Sequence, residues 1–223
     1  MLNEMMNRHI VSDTVLSYLR SHLRETDNIA LQKLRKEAQL KKLPIIPLET
    51  ASFFRLLMKI QQPQYVLEVG TAIGYSALLM AIENPKIKKL VTFERNPVMY
   101  HQAAFNINNF QLSNKIEIKF GDIANQYSKI KLMQFDLIFL DGAKSKYLNQ
   151  FNHLINNVKP NGIILIDDIF QGGDTFRSIT QIRHRNKGIH RHLNQLLSEV
   201  LDSQKYTSTL LPLGDGLLMI MKN

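Results

Sequence analysis

An α/β fold, doubly wound around a seven-stranded and mostly parallel sheet, follows from three observations in the sequence. Short apolar runs at 65–69, 90–94, 135–140 and 163–166, with a polar-apolar alternation at 115–120, are separated by longer stretches of helical periodicity, the pattern of repeated βαβ units. The first run passes through Gly70 and Gly74 into a helix-like segment, which gives strand, tight turn and helix in succession. The chain closes on two further extended runs, 206–213 and 217–221, joined by Gly214-Asp215-Gly216; these read as a hairpin that supplies an antiparallel edge.

With 223 residues and no Pro, Gly or Ser-rich linker, the chain is expected to form one α/β domain, residues 61–223, behind an N-terminal helical extension, residues 1–60. Cysteine is absent, so disulfides and thiolate metal sites are excluded and a metal would need oxygen or imidazole ligands. The first residues lack a secretory pattern and no apolar run reaches membrane-spanning length, which predicts a cytoplasmic protein away from membranes. The formal charge of +9 favours a polyanionic partner.

Along the extension, Val11, Val15, Leu19 and Leu23 form one helical stripe, and Leu31, Leu34 and Ala38 another. The basic run Lys33-Leu34-Arg35-Lys36 is expected largely on the solvated side. Leu43-Pro44-Ile45-Ile46-Pro47 cannot continue a helix and reads as a stiff apolar connector able to lie over a cofactor as a lid. Helix resumes from Glu49 to Ile60.

Tyr65 to Val69 read as a buried strand, with Glu68 as a carboxylate that must be anchored by hydrogen-bond donors. Gly70 permits a sharp bend and close approach of a ligand. The spacing departs from G-x-G-x-x-G, because Ala72 fills the place of the second glycine, which in dinucleotide sites makes room for a pyrophosphate. Glu94 ends the second strand at about the distance where an acid grips a ribose diol. A glycine loop and a ribose acid without a pyrophosphate slot point to S-adenosylmethionine; the alternative is a structural turn with a surface glutamate.

Asn96-Pro97 opens a helix to about Gln111, and 115–120 is a third strand ended by Gly121-Asp122. At the carboxyl end of its strand Asp122 either faces an adenine amine or caps the next turn. The strand 135–140 leads into Asp141-Gly142-Ala143-Lys144. Pro160-Asn161-Gly162 reads as a turn before the strand 163–166 and Asp167-Asp168. In a doubly wound sheet these two strand ends share a rim, so three carboxylates converge and fit a hard divalent ion such as Mg²⁺ or Mn²⁺; the alternative is capping and turn chemistry. The segment Thr175 to Ser198 lacks acids and carries Arg177, Arg183, Arg185, Lys187 and Arg191, a patch suited to phosphates, with its three histidines read as surface residues. Leu193, Leu196, Leu197 and Val200 give the helix after that patch a buried face.

In order, Pro-Ile-Ile-Pro-Leu-Glu-Thr, Glu-Val-Gly-Thr-Ala-Ile-Gly-Tyr-Ser, Leu-Asp-Gly-Ala-Lys-Ser-Lys-Tyr, Asp-Asp-Ile-Phe-Gln-Gly-Gly and Leu-Pro-Leu-Gly-Asp-Gly-Leu resemble the metal-dependent O-methyltransferases of the catechol and caffeoyl-CoA type. Within that family they look most like the bacterial tRNA 5-hydroxyuridine methyltransferase branch. The resemblance implies the Rossmann-like class I methyltransferase fold, with S-adenosylmethionine as cofactor. Ile46 would lie near its methionine end, Ser76 after the glycine loop, Glu94 on the ribose and Asp122 by the adenine, with Glu68, Gly70, Ile123 and Asp141 also in the cofactor site. It implies Mg²⁺ or Mn²⁺ on Asp141, Asp167 and Asp168, with Lys144 beside the reacting oxygen as base or electrostatic stabiliser. Many relatives carry Asn where Asp168 stands, and the tRNA-modifying branch is similar in having two acids there. The expected substrate is 5-hydroxyuridine in a tRNA anticodon loop, held by the basic patch, and the expected assembly is a homodimer. A catechol-like small molecule is the second reading. A nucleotide-binding oxidoreductase conflicts with the missing glycine, and a catalytically silent RNA-binding protein with the carboxylate cluster.

Overall fold

The alternation of apolar side chains along the strands decides the layering. In the computed structural model, which describes residues 11–223, the strands are β1 (Tyr65–Val69), β2 (Lys89–Glu94), β3 (Ile116–Phe120), β4 (Phe135–Leu140), β5 (Val158–Ile166), β6 (Tyr206–Leu211) and β7 (Leu217–Lys222). They form one sheet in the order β3-β2-β1-β4-β5-β7-β6. The first five are mutually parallel, β7 runs antiparallel to β5, and β6 antiparallel to β7. The fold class expected from the sequence is the one observed. The first ten residues of the expected N-terminal extension lie outside the described ones.

Among the described residues seven α-helices flank the sheet: α1 (Asp13–His22), α2 (Ile29–Leu40), α3 (Leu48–Gln61), α4 (Tyr75–Glu83), α5 (Pro97–Asn109), α6 (Tyr147–Leu154) and α7 (Lys187–Leu201). Successive strand residues point to opposite faces. Thus Val66, Leu90, Leu137, Phe139 and Leu165 pack with α2, α3 and α4, while Leu67, Val91, Ile138, Leu140 and Ile166 pack with α6 and α7. Phe54 of α3 meets Phe139 edge-on at 4.8 Å between ring centres. On α7 the stripe Leu193, Leu196, Leu197 and Val200 is buried, as the sequence periodicity predicts. Among the described residues no helix is long and apolar enough to cross a membrane.

Three local expectations need correction. On α1 the buried residue is Leu16, and Val15 is exposed. Within the basic run of α2, Arg35 is buried: it pairs with Glu25, donates from Nε to the Tyr75 hydroxyl at 3.0 Å and lies over the Tyr75 ring. A guanidinium is weakly hydrated and planar, so it can enter a core that offers an acid and an aromatic face. Pro160–Gly162 is not a turn ahead of β5 but lies inside it, where the pairing shifts between Phe135↔Val158 and Leu137↔Ile163. Asn161 there takes a left-handed φ of 60°, the irregularity of a bulge.

Register decides which residues meet at the carboxyl edge of the sheet. Val69 is level with Phe93 on one side and Leu140 on the other, and Leu140 is level with Ile166. The residues that leave these strands, Gly70, Glu94, Asp141 and Asp167, therefore emerge along one rim. Strand order reverses between β1 and β4, and ligands of open α/β sheets bind at such a switch point.

Candidate active site

The loop from β1 to α4 is held by backbone conformation and by one carboxylate. Gly70, Ala72 and Gly74 take φ of 102°, 46° and 85°, the first and last in a region that suits glycine. A Cβ on Gly70 would stand 1.9 Å from the Asp141 carbonyl oxygen, so the glycine admits the end of β4 against the loop. Glu94 accepts from the backbone N–H of Ala72 at 2.8 Å and of Asn96 at 2.7 Å, tying the loop to the end of β2. Each of its carboxylate oxygens keeps a further lone pair.

Glu68 is fully buried and anchored as expected: Ser76 donates to it at 2.5 Å and Thr92 at 2.6 Å. Burial pushes its carboxyl up to about 7, against those two hydrogen bonds. Glu68 and Ser76 thus satisfy each other beneath the loop. Ile46 is likewise buried in the core, and its neighbour but one, Pro44, borders the cavity that the loop overlooks.

That cavity has a volume of about 370 Å³ and is walled by Gly70, Glu94, Asp122, Ile123 and Asp141 from the sequence prediction. Met99 of α5, Lys146 just before α6 and Gln150 within it also border the cavity. Asp122 borders the cavity and caps the next turn through Ala124 N–H at 3.0 Å. It also pairs with Lys146. Burial pulls the Asp122 carboxyl up, and the bonds from Lys146 and Ala124 outweigh it, leaving it below the usual range.

Beside the cavity stands the acid rim. Asp141 N–H donates to the Val69 carbonyl at 2.8 Å and Asp167 N–H to the Leu140 carbonyl at 2.9 Å, so the sheet ladder itself delivers these residues. Burial, then the charges of Asp168 and Glu68, push the Asp141 carboxyl up to about 7. Asp167 is raised well above the usual carboxylate range by burial, then by Asp141 and Asp168. The fully buried Tyr147 donates to the Gly142 carbonyl at 3.3 Å, and its hydroxyl is raised by burial and by the charges of Asp141, Asp168 and Asp167. All three predicted acids therefore act on one small volume.

Asp168 sits at a left-handed φ of 58°, and its Oδ2 accepts from Lys144 Nζ at 2.7 Å. Among the described residues no three acids or histidines gather at cation-binding spacing. In kind, a hard cation suits this donor set, because neighbouring carboxylates that repel one another lose that penalty when one binds. In arrangement, the Lys144 ammonium already answers one of the three.

The basic stretch after β5 folds as short 3-10 turns, Gln171–Phe176, Ile179–Gln181 and His184–Asn186, before α7 begins. Arg183, Arg185 and Arg191 are exposed, Lys187 is half-buried, and Arg177 is exposed but paired with Asp174 at 3.4 Å. Of the histidines, His184 and His192 lie at the surface. His190 does not: it is buried and its Nε2 lies 2.9 Å from the Arg177 carbonyl.

Lys146, Gln150 and Tyr147 escaped the sequence reading. Their signal was present: Lys146 and Gln150 are four apart in a helical stretch that opens directly after Asp141-Gly142-Ala143, which places both on one face toward the same rim.

Comparison with known proteins agrees with this fold. The O-methyltransferase family model matches residues 21–223. A catechol O-methyltransferase of Niastella koreensis is 32% identical over 124 residues, 54% of this chain and 56% of that protein. A Staphylococcus aureus structure, provisionally named a caffeoyl-CoA O-methyltransferase, superposes with a TM-score of 0.80 at 27% identity, over 94% of this chain and 98% of that one. The O-methyltransferase TomG of Streptomyces achromogenes, solved with SAM, has the same fold at 21% identity and a TM-score of 0.79, covering 100% and 99% of the two chains. The chain belongs to the O-methyltransferase family.

Proposed function

We propose that the protein binds S-adenosylmethionine in the cavity beside Gly70 and Glu94 and transfers its methyl group to the 5-hydroxyl of 5-hydroxyuridine in a tRNA anticodon loop, giving 5-methoxyuridine. The observation that carries this reading is Asp141, which borders the cofactor cavity and also belongs to the acid rim. Donor and acceptor sites thus share a wall, the arrangement that direct transfer needs.

The cavity fits the cofactor in size and chemistry, since small-molecule sites run to roughly 300–1,000 Å³. Glu94 would accept from the ribose hydroxyls with its remaining lone pairs, and Asp122 with Ile123 would face the base. Asp141, Asp167 and Asp168 would hold Mg²⁺ or Mn²⁺. When bound, the cation lowers the pKa of the acceptor hydroxyl and the sulfonium supplies an activated methyl. The chain's own part is then positional. Lys144 leaves Asp168 and either holds the acceptor oxygen as an ammonium or, after losing a proton to solvent, takes the hydroxyl proton as a neutral amine; Tyr147 buttresses the turn after β4 through Gly142, and Glu94 keeps the loop closed on β2.

The RNA reading is supported by the exposed Arg183, Arg185 and Arg191 in an acid-free segment that comes after the rim, with Lys187 and Arg177 beside them. A splayed loop base is the part of a tRNA a protein pocket can take. The similarity to a catechol O-methyltransferase supports the second reading, a catechol-like acceptor. Nucleoside mass spectrometry of tRNA from cells lacking the protein separates the two: 5-methoxyuridine disappears on the first reading and persists on the second. Asp141→Ala should abolish transfer by a folded protein, and full activity in chelator would refute the cation. Exposed Leu56 and Ile60 on α3 support a homodimer, testable by light scattering.

A further inference from the structure

Gln150 is a polar side chain for which the fold gives no use. It is the fourth residue of α6, is 3% exposed, and its Oε1 is enclosed without a hydrogen-bond partner. A buried amide oxygen left in this state has lost its hydration without replacement, so such an atom in a native fold calls for an explanation. An apolar residue would fill the same place on α6, whose neighbours Tyr147, Leu148, Phe151 and Leu154 are all buried. Gln150 also borders the cavity, on the same wall as Asp122, Ile123 and Lys146.

We infer that Gln150 reads the adenine base of the cofactor, its amide pairing with the exocyclic N6 amine and with N7. This rests on the assignment of the cavity to S-adenosylmethionine. A glutamine amide is matched to adenine because it offers an acceptor and a donor side by side, the carbonyl for N6–H and the NH₂ for N7. The terminal torsion of glutamine is broad and nearly two-fold, so a rotation turns the enclosed carbonyl to the cavity without moving the helix. Asp122 cannot make this pair alone: it accepts from Ala124 N–H and Lys146, and a carboxylate has no donor for N7. Gln150 adds that donor and a second acceptor for the amine. The consequence is base selectivity within the cofactor site.

The test is isothermal titration of the wild-type protein and Gln150→Leu with S-adenosylhomocysteine, its inosine analogue lacking the N6 amine, and its 7-deaza analogue lacking N7. The wild type should bind the adenine compound roughly tenfold or more tighter than either analogue. In Gln150→Leu, affinity for the adenine compound should fall while the preference over the 7-deaza analogue disappears and that over the inosine analogue shrinks. A purely structural glutamine would weaken all three ligands alike and leave the ratios intact, which overturns the inference. Equal binding of all three compounds by the wild type would overturn it as well. Failure of the wild type to bind any of the three overturns the cofactor assignment itself, and the base reading with it; Gln150→Glu, which keeps an acceptor and loses the donor, should lose the 7-deaza preference first.

Discussion

Glu68 should make the fold less stable as the solution goes from acid to neutral, and one isosteric substitution should remove that effect. Its carboxyl is raised from an ordinary 4.5 to about 7, chiefly by burial. In the unfolded chain the group ionises near its ordinary value, so above it the unfolded state gains a charge that the folded state resists. The contribution to stability is therefore full below about 4.5 and is lost as pH rises through about 7. At 1.36 kcal/mol per pKa unit the whole effect is about 3 kcal/mol, of which about 2.5 kcal/mol falls between pH 5 and 8. Glu68→Gln keeps the shape, accepts from Ser76 with its carbonyl, and donates from its amide to Thr92 Oγ1, which lies 2.5 Å from Thr71 Oγ1 and can pass its own hydrogen there. The assay is urea unfolding of both proteins at several pH values across that range. Because Asp141 and Asp167 are raised in the same direction, the quantity to read is the difference between the two proteins. Parallel stability curves would refute the assignment of the slope to Glu68.

The same geometry sets further outcomes. Gly70→Ala forces a Cβ against the Asp141 carbonyl and should lower stability by at least about 2 kcal/mol in urea unfolding, whereas Gly74→Ala, whose nearest neighbour would be the Ala103 side chain at 3.5 Å, should lose about 1 kcal/mol from its left-handed backbone alone; equal losses would discredit the close approach. Arg35→Met leaves Glu25 buried without its cation and should destabilise by about 3 kcal/mol, with Glu25→Gln in the same chain restoring most of it. Replacing Arg183 and Arg185 by Ala should flatten the logarithmic dependence of tRNA affinity on salt by about 0.7 per lost phosphate contact, measured by filter binding; an unchanged slope would remove the arm from the RNA surface.

Much of this molecule is legible in its sequence because the signals are local. The run Tyr65 to Val69 is apolar and punctuated by a glycine, and β1 occupies those residues; β4 matches its apolar run in the same way. Asp141 and Asp167 stand out as residues that end neighbouring strands, and parallel register turns that position into proximity. What stayed hidden depends on partners far along the chain. Arg35 in a basic run has the look of a solvated face, and its burial rests on Glu25 and on a ring forty residues away. Pro160-Asn161-Gly162 has turn composition, and only pairing on both sides of it with β4 reveals a bulge. Ser76 reads as a residue beyond a cofactor loop, and its hydroxyl is spent on Glu68, a strand residue facing the same helix.

Gly70 lies so close to the Asp141 peptide that the loop cannot press further toward the rim without moving it. On the proposed reaction, whatever leans on the sulfur end of the donor displaces the acid facing the acceptor by the same amount, so thermal motion shifts the pair together and leaves their separation alone. Alignment of the transferred carbon would then be inherited from the sheet and owe little to a moving lid. An evolving acceptor pocket could be rebuilt from the loops after β5 without disturbing it.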